Sequence, residues 1–189
     1  MKHAILKAFV TGTVALATPV SAMAQNDSAS QSADIDALIA RMTLDEKIGQ
    51  LVQRMGGRSK SLNSRLGPEE LDKVRRGEVG SYLHVAGADA LRELQRVAVE
   101  ESRLGIPLLF SMDVVHGYRT IFPVPLAMAA SWDPEVAERH ARIAATEASA
   151  AGLHWTFAPM VDIARDPRWG RIVEGAGEDA YLGSRMAAA

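Results

Sequence analysis

Cysteine is absent from the 189 residues, and that one absence removes several chemistries. No disulfide can staple the chain, no thiolate can act as a nucleophile, and no cysteine-based metal site can form. A surplus of charge is lacking too. The formal net charge is −2, from 21 Lys and Arg against 23 Asp and Glu, and the basic residues are dispersed. No positive field exists to attract nucleic acid or an anionic membrane surface, so a neutral small molecule is the natural partner. Metal-ligand spacing is missing as well. What remains is ordinary globular composition, 48% hydrophobic and 23% charged, enough for one domain with a real core.

The N-terminus reads as an address rather than as fold. Met1-Lys2-His3 with Lys7 makes a basic start, Ala8 to Val20 is apolar, and Ala22-Met23-Ala24 supplies small residues. That order is the signature of an export signal cut before Gln25. The apolar run is shorter than the about 20 residues a membrane span needs. The competing reading is a buried N-terminal helix. The expected division is a signal peptide over 1–24, a polar flexible leader over 25–33 (QNDSASQSA), and folded chain over 34–189. Export implies the periplasm ahead of the external medium, and no membrane association after cleavage.

Ile35, Leu38, Ile39 and Met42 follow helical spacing, and Thr43-Leu44-Asp45-Glu46 has the form of a capping box. Ile48, Leu51, Val52 and Met55 continue an apolar stripe to Gly56-Gly57, predicting a helix, a kink and a second helix packed by one face. Three segments read as strands: Val79 to Val85, Ile106 to Met112 and His154 to Val161. Helical patterns separate them. Leu91, Leu94, Val97 and Ala98 share one face of 88–103; Val136, His140, Ile143, Ala144 and Ala148 share one face of 134–151. Asp133-Pro134 suits a helix start and Gly152 its end.

This alternation predicts an α/β fold with parallel strands and outer helices, the strands nearly continuous in apolar residues because both faces are buried. An open doubly wound sheet and part of a (β/α)8 TIM-type barrel both fit. No G-x-G-x-x-G follows any strand, which removes support from a nucleotide-binding sheet. A whole barrel needs about 250 residues. The chain holds about the first three βα units of one and is expected to be an N-terminal portion, ending within a helix.

Two strand ends are rich in polar groups. Asp113 follows an apolar strand directly, within Ser111-Met112-Asp113-Val114-Val115-His116-Gly117-Tyr118-Arg119. A carboxylate there needs a partner. Two readings stand: it accepts hydrogen bonds from sugar hydroxyls, or it pairs with Arg119 or caps a turn. The second end is Asp162 to Gly175, in which Arg165, Asp166, Arg168, Arg171 and Glu174 surround Trp169. Trp can stack on a pyranose and Arg can donate to its hydroxyls. An ion-pair network that fixes a loop is the other reading, preferred for Arg165, Asp166 and Arg168.

These residues carry a resemblance. Asp113-Val114-Val115-His116-Gly117, Thr120-Ile121-Phe122-Pro123 and Ser131-Trp132-Asp133 resemble early segments of glycoside hydrolase family 3. Phe157-Ala158-Pro159-Met160-Val161-Asp162 with Arg165-Asp166-Pro167-Arg168-Trp169-Gly170-Arg171, then Glu174 and Gly177-Glu178-Asp179, is similar to its best-known signature. Met42 to Leu51 is similar to its opening. The resemblance spans Ile35 to Ser184 in the family's order. It implies a retaining β-glucosidase, in which an aspartate nucleophile forms a glycosyl–enzyme and a glutamate serves as acid and then base. The D-x-x-H-G carboxylate and the last arginine of R-D-P-R-W-G-R hold the sugar in the first subsite; here they are Asp113 and Arg171. His116, Trp169 and Glu174 support that pocket. The resemblance puts nucleophile and acid/base beyond residue 189, so neither Glu174 nor Glu178 takes those roles, and the chemistry calls for no cofactor and no metal. The rivals are an inactive or merely sugar-binding fragment and a β-xylosidase. A reading frame continuing past Ala189 to an aspartate nucleophile separates enzyme from remnant.

The export reading has a direct check. Mass spectrometry of the exported protein is expected to find Gln25 as the first residue; an intact Met1 on exported material overturns it.

Overall fold

The computed structural model describes residues 34–56 and 66–189. The expected signal peptide and leader lie outside the described residues. Two units, 1–41 and 42–189, are distinguished. Of the first, the described part is a helix over 34–41 (α1), with Ile35 and Ile39 exposed.

The second unit is an α/β structure. Its elements are α2 (Leu44–Leu51), β1 (Gln53–Met55), α3 (Pro68–Arg75), β2 (Ser81–Leu83), α4 (Ala88–Arg96), β3 (Leu109–Met112), α5 (Pro125–Ala129), α6 (Pro134–Ala150), β4 (Trp155–Thr156) and α7 (Ala180–Ala188). The strands form one sheet in the order β1-β2-β3-β4, every pair parallel. In register, Arg54 lies beside Tyr82, Tyr82 beside Phe110, and Ser111 beside Trp155. Among the described residues no helix is long and apolar enough to cross a membrane.

The core gathers behind the central strands. Tyr82 and Phe110 from β2 and β3 pack with Leu91, Leu94, Val97, Leu108, Ala144, Ala148 and Leu153, all buried. The expected face of 88–103 is the buried one: Leu91, Leu94, Val97 and Ala98 are at most 3% exposed. The element changes from α to π at Val97–Glu101, where the expected helix was continuous. On α6, His140, Ala144 and Ala148 face inward, whereas Ile143 is exposed, a correction to that helix face. Asp133 caps α6 through Glu135 N at 2.9 Å with Pro134 in the first turn, and Gly152 follows with φ +92°.

Two expectations fail in instructive ways. The apolar stripe of α2 is not its packing face: Leu44, Ile48 and Leu51 are exposed, and Glu46 and Gly49 are buried. Backbone proximity decides this. A Cβ on Gly49 would stand 1.9 Å from the Gly77 carbonyl oxygen, and one on Gly80 2.5 Å from that of Gln50. Only hydrogen fits between these segments. The helix then stops at Leu51 instead of running to Met55, and Val52 turns extended to begin β1. No apolar alternation marks β1; its neighbours hold it. Arg54 donates to both Glu70 oxygens on α3 at 2.8 and 2.7 Å, and Glu70 also accepts from the buried Tyr82 hydroxyl at 3.1 Å. At the other edge, β4 is two residues long and Trp155 is 44% exposed; burial on both faces holds for β2, holds in β3 only at Phe110 and Ser111 because Leu109 is 51% exposed, and fails for β4.

Glu46 fastens α2 to the approach to β3. It completes the capping box with Thr43, and Arg103 donates to both its oxygens at 2.9 and 2.5 Å. The Arg103 hydrogen bond, with the Thr43 backbone bond behind it, holds the carboxyl at about 2 instead of 4.5. A carboxyl with a depressed folded-state pKa adds stability above its unfolded pKa and loses it as pH falls through the folded one. Glu46→Gln is therefore expected to lower Tm at neutral pH and to weaken the loss of stability between about pH 4.5 and 2, read from thermal melts across that range. Identical acid limbs for the two proteins overturn this role.

Candidate functional site

Parallel strands deliver their C-terminal ends to one rim, and three successive rim positions here are polar. One residue beyond β2 stands His84, one residue beyond β3 stands Asp113, and the loop leaving β4 runs through Asp162 to Arg171 and Glu174.

Asp113 is tied to His84: Oδ2 lies 2.8 Å from the imidazole Nε2. The pairing with Arg119 that a local reading allowed does not form. The Arg119 backbone N–H instead donates to Glu147 on α6 at 2.8 Å. Glu147 also accepts from the Thr120 backbone at 2.9 Å and hydroxyl at 2.6 Å. These bonds, the Thr120 hydroxyl foremost, hold its carboxyl below the ordinary range. The loop from Asp113 therefore rests on α6. It is also closed on itself, with Phe122 N–H donating to the His116 carbonyl at 2.8 Å and His116 Nδ1 lying 3.1 Å from the Phe122 carbonyl. Gly117, at φ +119°, makes the bend; a Cβ there would fall 1.9 Å from the Thr120 carbonyl oxygen. His116 is thus engaged with the loop's own backbone.

In the second loop, Asp166 and Arg168 form a local forked pair that includes Nε to Oδ1 at 2.9 Å, with Arg168 Nη2 to Asp166 Oδ2 closing it. Both side chains face solvent. Trp169 donates its backbone N–H to the Asp166 carbonyl at 3.1 Å and is 36% exposed. Arg171 behaves differently. Its Nη2 reaches Glu174 at 2.6 Å and the Met160 sulfur at 3.5 Å. The Glu174 hydrogen bond is the main cause that raises the guanidinium further, and the negative charges of Asp113 and Asp162 add to it. Asp113 and Arg171, chosen from sequence on separate loops, therefore stand within each other's electrostatic reach on the loops of neighbouring strands. Arg171 in turn holds Glu174 below the carboxylate range.

Sequence reading passed over His84 and Glu147. His84 lay inside the expected strand Val79 to Val85; a polar residue closing an apolar run, the signal used for Asp113, was there to be read. Glu147 sits mid-helix and gives no local signal. A cavity of about 430 Å³ is lined by residues such as Met128, His140, Ala144, Leu153, Trp155 and Met186, with no acidic side chain and no lysine or arginine. Its titratable side chains are the imidazoles of His140 and His154. His140 Nε2 is buried there without a hydrogen-bond partner among the described residues, against the Phe122 ring at 4.9 Å. Burial, helped by the nearby His116, pushes its pKa down. Among the described residues no group of three or more His, Asp or Glu could hold a metal ion.

Comparison with known proteins agrees over most of the chain. The family model described as "Glycosyl hydrolase family 3 N terminal domain" matches residues 43–189. A periplasmic β-glucosidase of Salmonella typhimurium is 43% identical over 151 residues, covering 79% of this chain and 19% of that protein. A putative β-xylosidase of Formosa agariphila is 33% identical over 170 residues, covering 80% of this chain and 22% of that protein. The crystal structure of a β-glucosidase from Listeria innocua in complex with isofagomine superposes with a TM-score of 0.69 at 40% identity, over 81% of this chain and 21% of that one. A mutant of the same enzyme with laminaribiose gives 0.71 at 40% identity, over 82% and 22%. The chain spans about a fifth of the length of the curated relatives it matches.

The bend at Gly117 carries its own test. Gly117→Ala forces the new Cβ against the Thr120 carbonyl in a conformation L-residues avoid, and is expected to destabilise the protein by ~1–3 kcal/mol. Urea denaturation measures it; an unchanged midpoint and slope overturn the assignment.

Proposed function

The chain belongs to glycosyl hydrolase family 3, and on that premise we propose that it supplies the sugar-holding side of the first subsite in an exported, retaining β-glucosidase. What supports this reading is that Asp113 and Arg171 sit on the loops that follow the neighbouring parallel strands β3 and β4, at the C-terminal rim, with the Asp113 charge felt at the guanidinium. That rim is where (β/α)8 enzymes bind their substrates, and the four strands are the first arc of such a barrel. His84 takes one acceptor site of the Asp113 carboxylate, which leaves others for adjacent hydroxyls of one sugar. Arg171 keeps donors beyond those given to Glu174. As the ring flattens toward an oxocarbenium-like transition state its hydroxyls shift, and charged partners held in place gain strength there.

Glu174 is unsuited to be the general acid. An acid that protonates a leaving oxygen near neutral pH needs a raised pKa, and Arg171 does the opposite. The nucleophile and acid/base belong to later segments of the family's catalytic chain. Trp169, His116 and Glu174 act as supports: the first carries an apolar ring two positions before Arg171, the second closes the Asp113 loop, and the third restrains the guanidinium. The substrate is a β-glucoside or β-linked oligosaccharide. The name of the Salmonella relative, together with the N-terminal export signal, supports a periplasmic destination. A β-xylosidase is the second reading, favoured by the Formosa relative and by a Dickeya chrysanthemi enzyme named for both activities.

Asp113→Ala in the full-length enzyme is expected to lower kcat/KM on an aryl β-glucoside by ~2–4 kcal/mol, roughly 30- to 900-fold. Arg168→Ala, which removes only the Asp166 pair, is expected to lower Tm more than turnover. Normal kinetics in the Asp113→Ala enzyme overturn the sugar-binding role. The ratio of kcat/KM for aryl β-glucoside and aryl β-xyloside separates the two substrate readings.

A further inference from the structure

We propose that His84 is the positioning residue for Asp113, a role that rests on the sugar-binding reading of that carboxylate. Two independent features of the fold single it out. One is the contact itself, Nε2 to Oδ2 at 2.8 Å, made between the first residues past two neighbouring parallel strands. A carboxylate only accepts, so Nε2 carries the proton and donates, fixing which oxygen remains for ligand. The other is the backbone. His84 has φ +63°, a left-handed conformation uncommon for any residue other than glycine. Histidine is among the few residues that enter it with moderate frequency. Such geometry persists where surrounding structure imposes it, and it clusters at functional sites.

The imposing structure is visible. The His84 N–H donates to the Ser111 carbonyl at 2.9 Å, and the Leu83 carbonyl accepts from Gly56 N–H at 2.7 Å. On the far side, a Cβ at Gly56 would lie 2.8 Å from the His84 carbonyl oxygen and 2.6 Å from the Val85 side chain. The segment is held between the ends of β1 and β3, and Val85, next along, is 1% exposed. This clamp turns the chain at His84 and sends the imidazole across to Asp113. Ordinary strand geometry would continue the alternation of β2. The imidazole is itself 28% exposed and Asp113 44%, so the pair is open to a ligand from the rim.

The contact differs from a stabilising surface pair in acting through Asp113 alone, and a double-mutant cycle in the full-length enzyme tests that. His84→Gly accepts the positive φ and removes only the imidazole. It is expected to keep Tm close to that of the parent and to lower kcat/KM on an aryl β-glucoside roughly 10- to 100-fold, the scale of a misplaced positioning group. His84→Gln offers an amide N–H at the reach of the imidazole Nε2, so it is expected to recover a substantial part of the loss. On an Asp113→Ala background, His84→Gly is expected to change kcat/KM by less than about twofold, because the two substitutions remove one interaction. A His84→Gly enzyme with parental kcat/KM overturns the proposal, as does an undiminished effect on the Asp113→Ala background. If Asp113→Ala itself leaves kinetics normal, the sugar-binding reading falls instead, and the two failures are told apart.

Discussion

Parallel strands cannot be joined by tight turns, and most of this molecule follows from that constraint. Each strand must be carried back to its starting edge by a crossover, and the crossover helices become the cover of the sheet. All strands then end on the same side. Gly56, His84, Asp113 and the loop from Phe157 are distant in sequence, yet the ladder β1-β2-β3-β4 delivers them to one rim. The opposite side is built for anchorage, with Glu46 bound to Arg103 and the backbone of α2 laid against Gly77 and Gly80. One side of the sheet is spent on holding together, the other on presenting polar groups.

Polar groups at such a rim face two demands. They must be oriented without collapsing into pairs so complete that no capacity remains. The two loops solve this differently. In Asp166 and Arg168 the pair is local, fully forked and turned to solvent, so it stiffens its own turn. Asp113 and Arg171 are each restrained from one side, by His84 and Glu174, and feel each other's charge. A carboxylate with acceptor sites left over and a guanidinium with donors left over suit a ligand rich in hydroxyls. Behind them Glu147 spends its carboxylate on the Arg119 and Thr120 backbone and hydroxyl, which fixes the loop that Asp113 begins.

The family membership and this geometry bear on each other. Likeness to β-glucosidases extends over about four fifths of the chain but only a fifth of those proteins. Likeness gives the family; the local bonds tell residues of one motif apart. Arg168 and Arg171 lie three residues apart in one motif, and only the bonds distinguish them: Arg168 closes a local fork with Asp166, and Arg171 reaches Glu174 and the Met160 sulfur.

Much was determined by sequence alone, wherever the cause is local or periodic. The capping box at Thr43 and Glu46, the Asp133-Pro134 start of α6, the buried face Leu91, Leu94, Val97 and Ala98, and the parallel α/β order are of this kind. The need of Asp113 for a partner was also legible, because a charge closing an apolar strand needs one wherever the strand lies, whereas Arg171 stood out only through the likeness of its motif to the family's. Tertiary structure alone decided the rest. Helical spacing runs unbroken to Met55, yet the Gly49–Gly77 contact and the Arg54–Glu70 pair turn residues 53–55 into a strand. The apolar stripe of α2 faces outward because backbone, not side chain, fills its interface. The partner of Asp113 proved to be His84, 29 residues away, and not Arg119, six residues on. Sequence spacing measures distance along the chain, and a parallel sheet brings together positions a full crossover apart.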